Sequence, residues 1–236
     1  MKKRIFQTSI LLVILMITEA VGQSKGDRII LAGHDLWALY SESNDFYGLF
    51  MKQQLIDNWS DFELRKINIM DYATAPETVD YERVKKDNLI YVFLGFDFLK
   101  TNIRGWKFES DYLLPGQSLL VGGYHIYAKG KIIETADSTS AEVFDAVDNY
   151  RIGVKTKFQK KLIDQNITEG YRLERWNIGN YLGGIKVDWV GDLNGDGLLE
   201  IIMIECGHHE CFDIVLYSPD KNFKIREVHR NTICGG

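Results

Sequence analysis

Residues 185 to 204 spell out a β-hairpin, and no other stretch constrains the fold as tightly. Ile185-Lys186-Val187-Asp188-Trp189-Val190 alternates apolar with polar side chains and is rich in β-branched residues. Ile201-Ile202-Met203-Ile204 is a short apolar run of the kind a buried strand uses. Between them lies an acidic, glycine-rich loop that opens at Gly191 and closes at Glu200. Neither flank carries a helix cap or a 3.6-residue periodicity, so the loop joins two strands rather than two helices.

The loop has a chemistry of its own. Asp192, Asn194 and Asp196 place side-chain oxygens on alternate residues, and Gly195 and Gly197 allow the chain to turn tightly around them. Glu200 is the ninth residue counted from Asp192. Hard cations such as calcium take about six to eight oxygens, and a compact acidic loop can supply most of them. Asp-x-Asn-x-Asp-Gly matches the first half of an EF-hand loop, but the twelfth position, where an EF-hand needs a bidentate Glu, is Met203. Asp, Asn and Gly also favour turns for backbone reasons, so a metal-free hairpin turn is the alternative.

The segment from Gly191 to Gly197, with Glu200 following, resembles the calcium loop of FG-GAP or integrin-type β-propeller repeats. The resemblance implies side-chain ligands at Asp192, Asn194, Asp196 and Glu200, and a backbone carbonyl from Leu198. It implies a structural calcium ion, because such a loop tends to saturate the ion and leave no open position for substrate. The chain departs from the pattern by carrying Glu where the family ends on Asp. It also has one copy, where a propeller needs several. The chain as a whole resembles secreted bacterial β-rich proteins with a Leu-x-Pro-Gly segment, here Leu113-Leu114-Pro115-Gly116, and one such loop near the C-terminus.

The N-terminus points to export. Lys2-Lys3-Arg4 precedes an apolar core at residues 10–17, and small residues follow at Ala20 and Gly22. That is the pattern of a secretory signal peptide, expected over 1–22. The core is shorter than the roughly 20 apolar residues a membrane span needs. Residues 1–23 hold three basic residues and one acid, so their removal takes the net charge from −5 to −7. An acidic chain argues against nucleic acid as the main partner, and no second apolar span exists. The expected location is periplasmic, cell-surface or extracellular.

Export permits disulfides. Cys206 and Cys211 flank Gly207-His208-His209-Glu210 and are expected to face each other across a hairpin as a disulfide. A zinc site from Cys206, His208, His209 and Cys211 has the right residue types but not a standard spacing.

The remainder reads as strands separated by turn signals. The fold class expected is mainly β: antiparallel sandwich-like β domains, with a C-terminal meander that carries the calcium-loop hairpin. An N-terminal β domain is expected over 24–133 and a C-terminal one over 145–236, or the two as one unit. The Ser/Thr/Asp/Glu-rich stretch 134–142 is the expected connector. Lys129-Gly130-Lys131 reads as a turn, Pro115-Gly116 as the centre of a type II turn, and residues 76–88 as a helical turn or loop opening at Pro76. Lys155, Lys157, Lys160 and Lys161 read as the solvated face of an exposed strand.

No nucleophile elbow, His-Glu-x-x-His or phosphate loop is present. The expectation is therefore an exported, calcium-stabilised protein with a binding or structural role, whose partner is a protein or a glycan. A secreted hydrolase of glycan or envelope polymer, and an inhibitor or immunity-type protein, are the alternatives.

Overall fold

The computed structural model describes residues 28–31, 46–54, 59–75, 78–94, 102–108, 112–136, 143–158, 160–174, 184–206 and 211–234. The expected signal peptide lies outside them. The first half contains β1 (Arg28–Leu31), β2 (Phe46–Gln54), β3 (Trp59–Ile67), β4 (Ala73–Ala75), β5 (Thr78–Val79), α1 (Tyr81–Asp87), β6 (Leu89–Leu94), β7 (Asn102–Lys107), β8 (Ser118–Val121) and β9 (Tyr124–Ala136). The second half contains β10 (Val143–Phe158), β11 (Lys161–Asn166), β12 (Tyr171–Glu174), β13 (Ile185–Gly191), β14 (Glu200–Cys206), β15 (Cys211–Pro219) and β16 (Ile225–Cys234).

The protein is mainly β, with two large antiparallel sheets. Nine strands pair in the order β1-β6-β2-β3-β7-β13-β14-β15-β16, and β11-β10-β9-β8 form the second sheet, with β12 added to β10. β7 pairs with β13 and β9 with β10, so strands from 24–133 and from 145–236 share both sheets. β13 to β16 run as the expected meander.

The larger sheet curls until its two end strands, β1 and β16, touch. The curl encloses one core: Leu49, Phe62, Tyr91, Phe93, Trp189, Ile202 and Ile214 all point inward. The outer surface of β13–β15 presents Val187, Val190, Ile201, Met203 and Val215 to the inner face of the five-stranded sheet. The two sheets thus pack face to face as layers of a sandwich. The outer surface of β2 and β6 buries Phe46, Phe50, Val92 and Leu94 beneath α1 and its flanking turns. β6 is a near-continuous apolar run because both of its faces are covered. Full burial of each aliphatic or aromatic side chain contributes about 1.5–3 kcal/mol.

Local signals account for the punctuation. The Gln117 amide donates to Leu114 O at 2.9 Å, and Gly116 has φ 88, which makes Leu114–Gln117 the expected type II turn. The helix begins later than Pro76. The Asp80 side chain caps it by accepting from the Arg83 amide at 3.0 Å, and Asn88 ends it in the left-handed region. Lys129-Gly130-Lys131 is not a turn but the middle of β9. There Gly130 allows a close approach: a Cβ would stand 2.5 Å from Val147 Cγ1.

Candidate metal centre

The hairpin forms as the sequence implies, with β13 and β14 in antiparallel register and the loop at 192–199 between them. Its residues are held by their own side chains. Asp192 accepts from the amides of Gly195 (2.7 Å) and Gly197 (3.2 Å) through its two oxygens. Asn194 Oδ1 accepts from the Asp196 amide at 2.9 Å, and Asp196 Oδ1 accepts from the Leu198 amide at 2.7 Å. Gly195 and Gly197 both have φ 86, a conformation L side chains rarely adopt. The loop is therefore a stack of Asx-type turns pinned by two left-handed glycines.

Glu200 lies beneath this stack and is 2% exposed. Its Oε2 accepts from the Leu193 amide at 2.7 Å, and its Oε1 from Asn194 Nδ2 at 2.9 Å and Ser218 Oγ at 3.0 Å. All three donors are neutral. Burial pushes the Glu200 carboxyl up to about 7; its hydrogen bonds from Leu193 and Ser218 oppose that rise, and the carboxylates of Asp196 and Asp192 add to it.

The five expected donors thus stand in one loop, with Glu200 and Asn194 in direct contact. Asp192 is half-buried, and Asn194 and Asp196 are exposed. Among the described residues, no three His, Cys, Asp or Glu side chains are gathered as a metal cluster. Two of the expected donors, Asn194 and the Leu198 carbonyl, are of other types. The Asp192 and Asp196 oxygens point at the loop's own amides. Each carboxylate has about four acceptor sites, so an oxygen that accepts one amide keeps room for a cation.

The loop is anchored in both cores. Leu193 is buried with Trp189 and Ile202 inside the curled sheet. Leu199 packs on the cluster between the sheets, and its amide donates to Tyr124 Oη at 3.4 Å. Trp189 fits beneath the loop because Gly191 and Gly105 lack side chains: a Cβ on Gly191 would lie 2.4 Å from the indole. Neither Ser218 nor Tyr124 carried a sequence signal linking it to the loop.

A second polar cluster was not expected. The β13–β14 register shifts between Val187 and Trp189, and the bulge leaves Asp188 with its carboxylate 1% exposed. There Asp188 accepts from Tyr91 Oη and from Lys107 Nζ, with Lys186 Nζ at 3.6 Å. Burial, together with the Asp188 charge, holds the Tyr91 phenol well above the usual range. Asp188 falls in phase with the polar positions of the alternating strand, so nothing in the residue pattern marks it as buried.

The expected Cys206–Cys211 disulfide does not form. Cys206 keeps a free thiol 2.7 Å from Tyr112 Oη, while Cys211 is disulfide-bonded. The register explains this. Cys206 opposes Phe212, so Cys211, one residue along, faces the other side of the sheet. Cys211 instead opposes Cys234. His208 and His209 lie outside the described residues.

No family model matches the chain, and no curated protein or solved structure matches it either.

Proposed function

We propose that this is an exported β-rich protein stabilised by one calcium ion, with a binding or structural role in the cell envelope or outside the cell. The observation that carries the reading is Glu200, a buried carboxylate whose hydrogen-bond partners are all neutral and whose nearest charges are two more carboxylates. A buried charge needs a counter-charge or a proton. A cation drawn to Asp192, Asn194, Asp196, Glu200 and the Leu198 carbonyl would supply the counter-charge, and the loop's Asx turns keep Asp192, Asn194 and Asp196 on one short turn. Because Leu193 and Leu199 anchor the loop in different cores, an ion there ties the two sheets together at one end. The basic and apolar run at the N-terminus supports export.

Terbium titration tests the site. Tb³⁺ replaces calcium in oxygen-rich loops, and Trp189 beneath the loop sensitises its emission. The expected result is sensitised luminescence that calcium displaces and that Asp192→Ala removes. No sensitised emission from folded protein would sink the reading. N-terminal sequencing of chain recovered from culture medium or periplasm tests export, with cleavage expected after Ala20 or Gly22.

A further inference from the structure

We propose that the outer face of the five-stranded sheet binds an anionic polysaccharide. This surface is separate from the loop and does not rest on calcium.

Directly opposed residues of antiparallel strands point to the same face. The registers of β9, β10 and β11 place Lys129 opposite Arg151, Tyr127 opposite Gly153, and His125 opposite Lys155, which in turn opposes Asp164. Along β10 the face reads Arg151, Gly153, Lys155, Lys157, one position every second residue. Those positions are spaced at roughly 6.6–6.8 Å. Lys129, Lys155 and Lys157 are exposed and Arg151 is half-exposed. These rows hold four cations and one acid, Asp164, and the next row adds exposed Lys131 opposite exposed Asp148, which makes five cations to two acids in a chain whose net charge is −5.

Tyr127 organises the charges. Its ring packs over Gly153, where a Cβ would lie 2.4 Å from Cζ. Its hydroxyl donates to Asp164 Oδ1 at 2.5 Å and accepts from Lys129 Nζ at 3.2 Å. The Lys129 ammonium lies 4.6 Å from the ring centroid. The phenol therefore engages Asp164, the acid opposite Lys155, while Lys129 caps the ring.

That arrangement selects among polyanions. Single-stranded nucleic acid binding relies on bases stacking on open aromatic faces, and this ring is capped. Membrane docking needs a continuous apolar patch to insert. Leu120 and Leu162 are exposed on this face, opposite His125 and Lys157, but they stand on its flanking strands with the cations between them, and exposed Ile132 on β9 is in phase with the inward-facing Ala128 and Ile126. What remains is a row of cations at two-residue steps along β10, interrupted at Gly153, with Lys129 and Lys131 beside it on β9. A polymer of acidic sugars carries carboxylates at regular intervals along an extended chain and matches it, gaining from released counterions as polyanions do.

Affinity electrophoresis of the full chain in gels containing polygalacturonate tests this, with neutral dextran as control. A single-stranded oligonucleotide and phosphatidylglycerol vesicles serve as competitors. Retardation by polygalacturonate alone is expected, weakened about tenfold by Lys155→Glu with Lys157→Glu, which reverses two of the β10 cations. The milder Lys155→Gln with Lys157→Gln serves if the reversal does not fold. Lys85→Glu with Lys86→Glu on α1 should leave binding unchanged. No retardation, equal retardation by dextran, undiminished binding by the β10 variants, an equal loss in the α1 variant, or preference for the oligonucleotide or vesicles would each overturn the proposal.

Discussion

Asp188 and Glu200 are buried acids on neighbouring strands of one hairpin, and they are treated in opposite ways. Asp188 meets two ammonium groups and a phenol. Glu200 meets an amide N–H, a side-chain amide and a hydroxyl, with two more carboxylates nearby. The first is electrically complete within the chain. The second is complete only with a proton or a cation. Burial by itself does not mark a ligand site; burial without an opposite charge is what the proposed calcium reading rests on.

The largest effect should come from breaking the complete site. Asp188→Ala leaves Lys107, Lys186 and Tyr91 facing an emptied position, and removing one partner of a buried pair costs about 3–5 kcal/mol. Urea denaturation should show a loss of that size. A change under about 1 kcal/mol would mean that the ammonium groups relax to solvent and that Asp188 is not the keystone of the bulge.

The incomplete site should respond to pH. In chelator, the Glu200 carboxyl holds its proton more tightly in the folded state, at about 7, than in the unfolded chain, near 4.5. The stability this confers is present below about pH 4.5 and is lost as pH rises through about 7. The loss is on the order of 3 kcal/mol at most. Glu200→Gln, which cannot ionise, should lack that slope. Parallel curves for the two proteins would remove the contrast between Glu200 and Asp188.

Calcium should reverse the penalty. At about a hundred times its dissociation constant, an ion bound only by the folded state adds about 2.7 kcal/mol. Calorimetry at neutral pH should show a higher Tm with calcium than with chelator, and Glu200→Gln should show a smaller rise. An unchanged Tm at millimolar calcium would leave the loop as a plain turn.

The smallest effect sharpens the comparison from the surface side. Arg230 bridges Glu205, Asp213 and Glu227, and its pKa is raised chiefly by the Glu227 hydrogen bond. Glu227 is the more exposed partner, so Glu227→Ala should cost less than about 1 kcal/mol. A loss as large as that of Asp188→Ala would show that exposure does not separate these ion pairs.

Much of the strand pattern was legible from the residues. The β13–β14 hairpin and the Pro115-Gly116 turn follow from alternation, apolar runs and turn chemistry that act over a few neighbours. Lys129-Gly130-Lys131 misled because glycine marks both turns and close approaches, and only the nearness of Val147 decides between them. Cys206 and Cys211 misled because a one-residue offset in register turns a side chain to the opposite face.

Amino-acid order alone determined that the chain is built of strands and that one hairpin carries oxygen donors on alternate residues of its loop. Both depend on periodicity and spacing along the backbone. Tertiary structure decided which acids find a counter-charge, because Tyr91 and Lys107 reach Asp188 from 97 and 81 residues away. It likewise gathered Lys129 and Arg151 beside Lys155 on one face. Charge compensation is a property of neighbours in space, and the curl of the sheet chooses those neighbours.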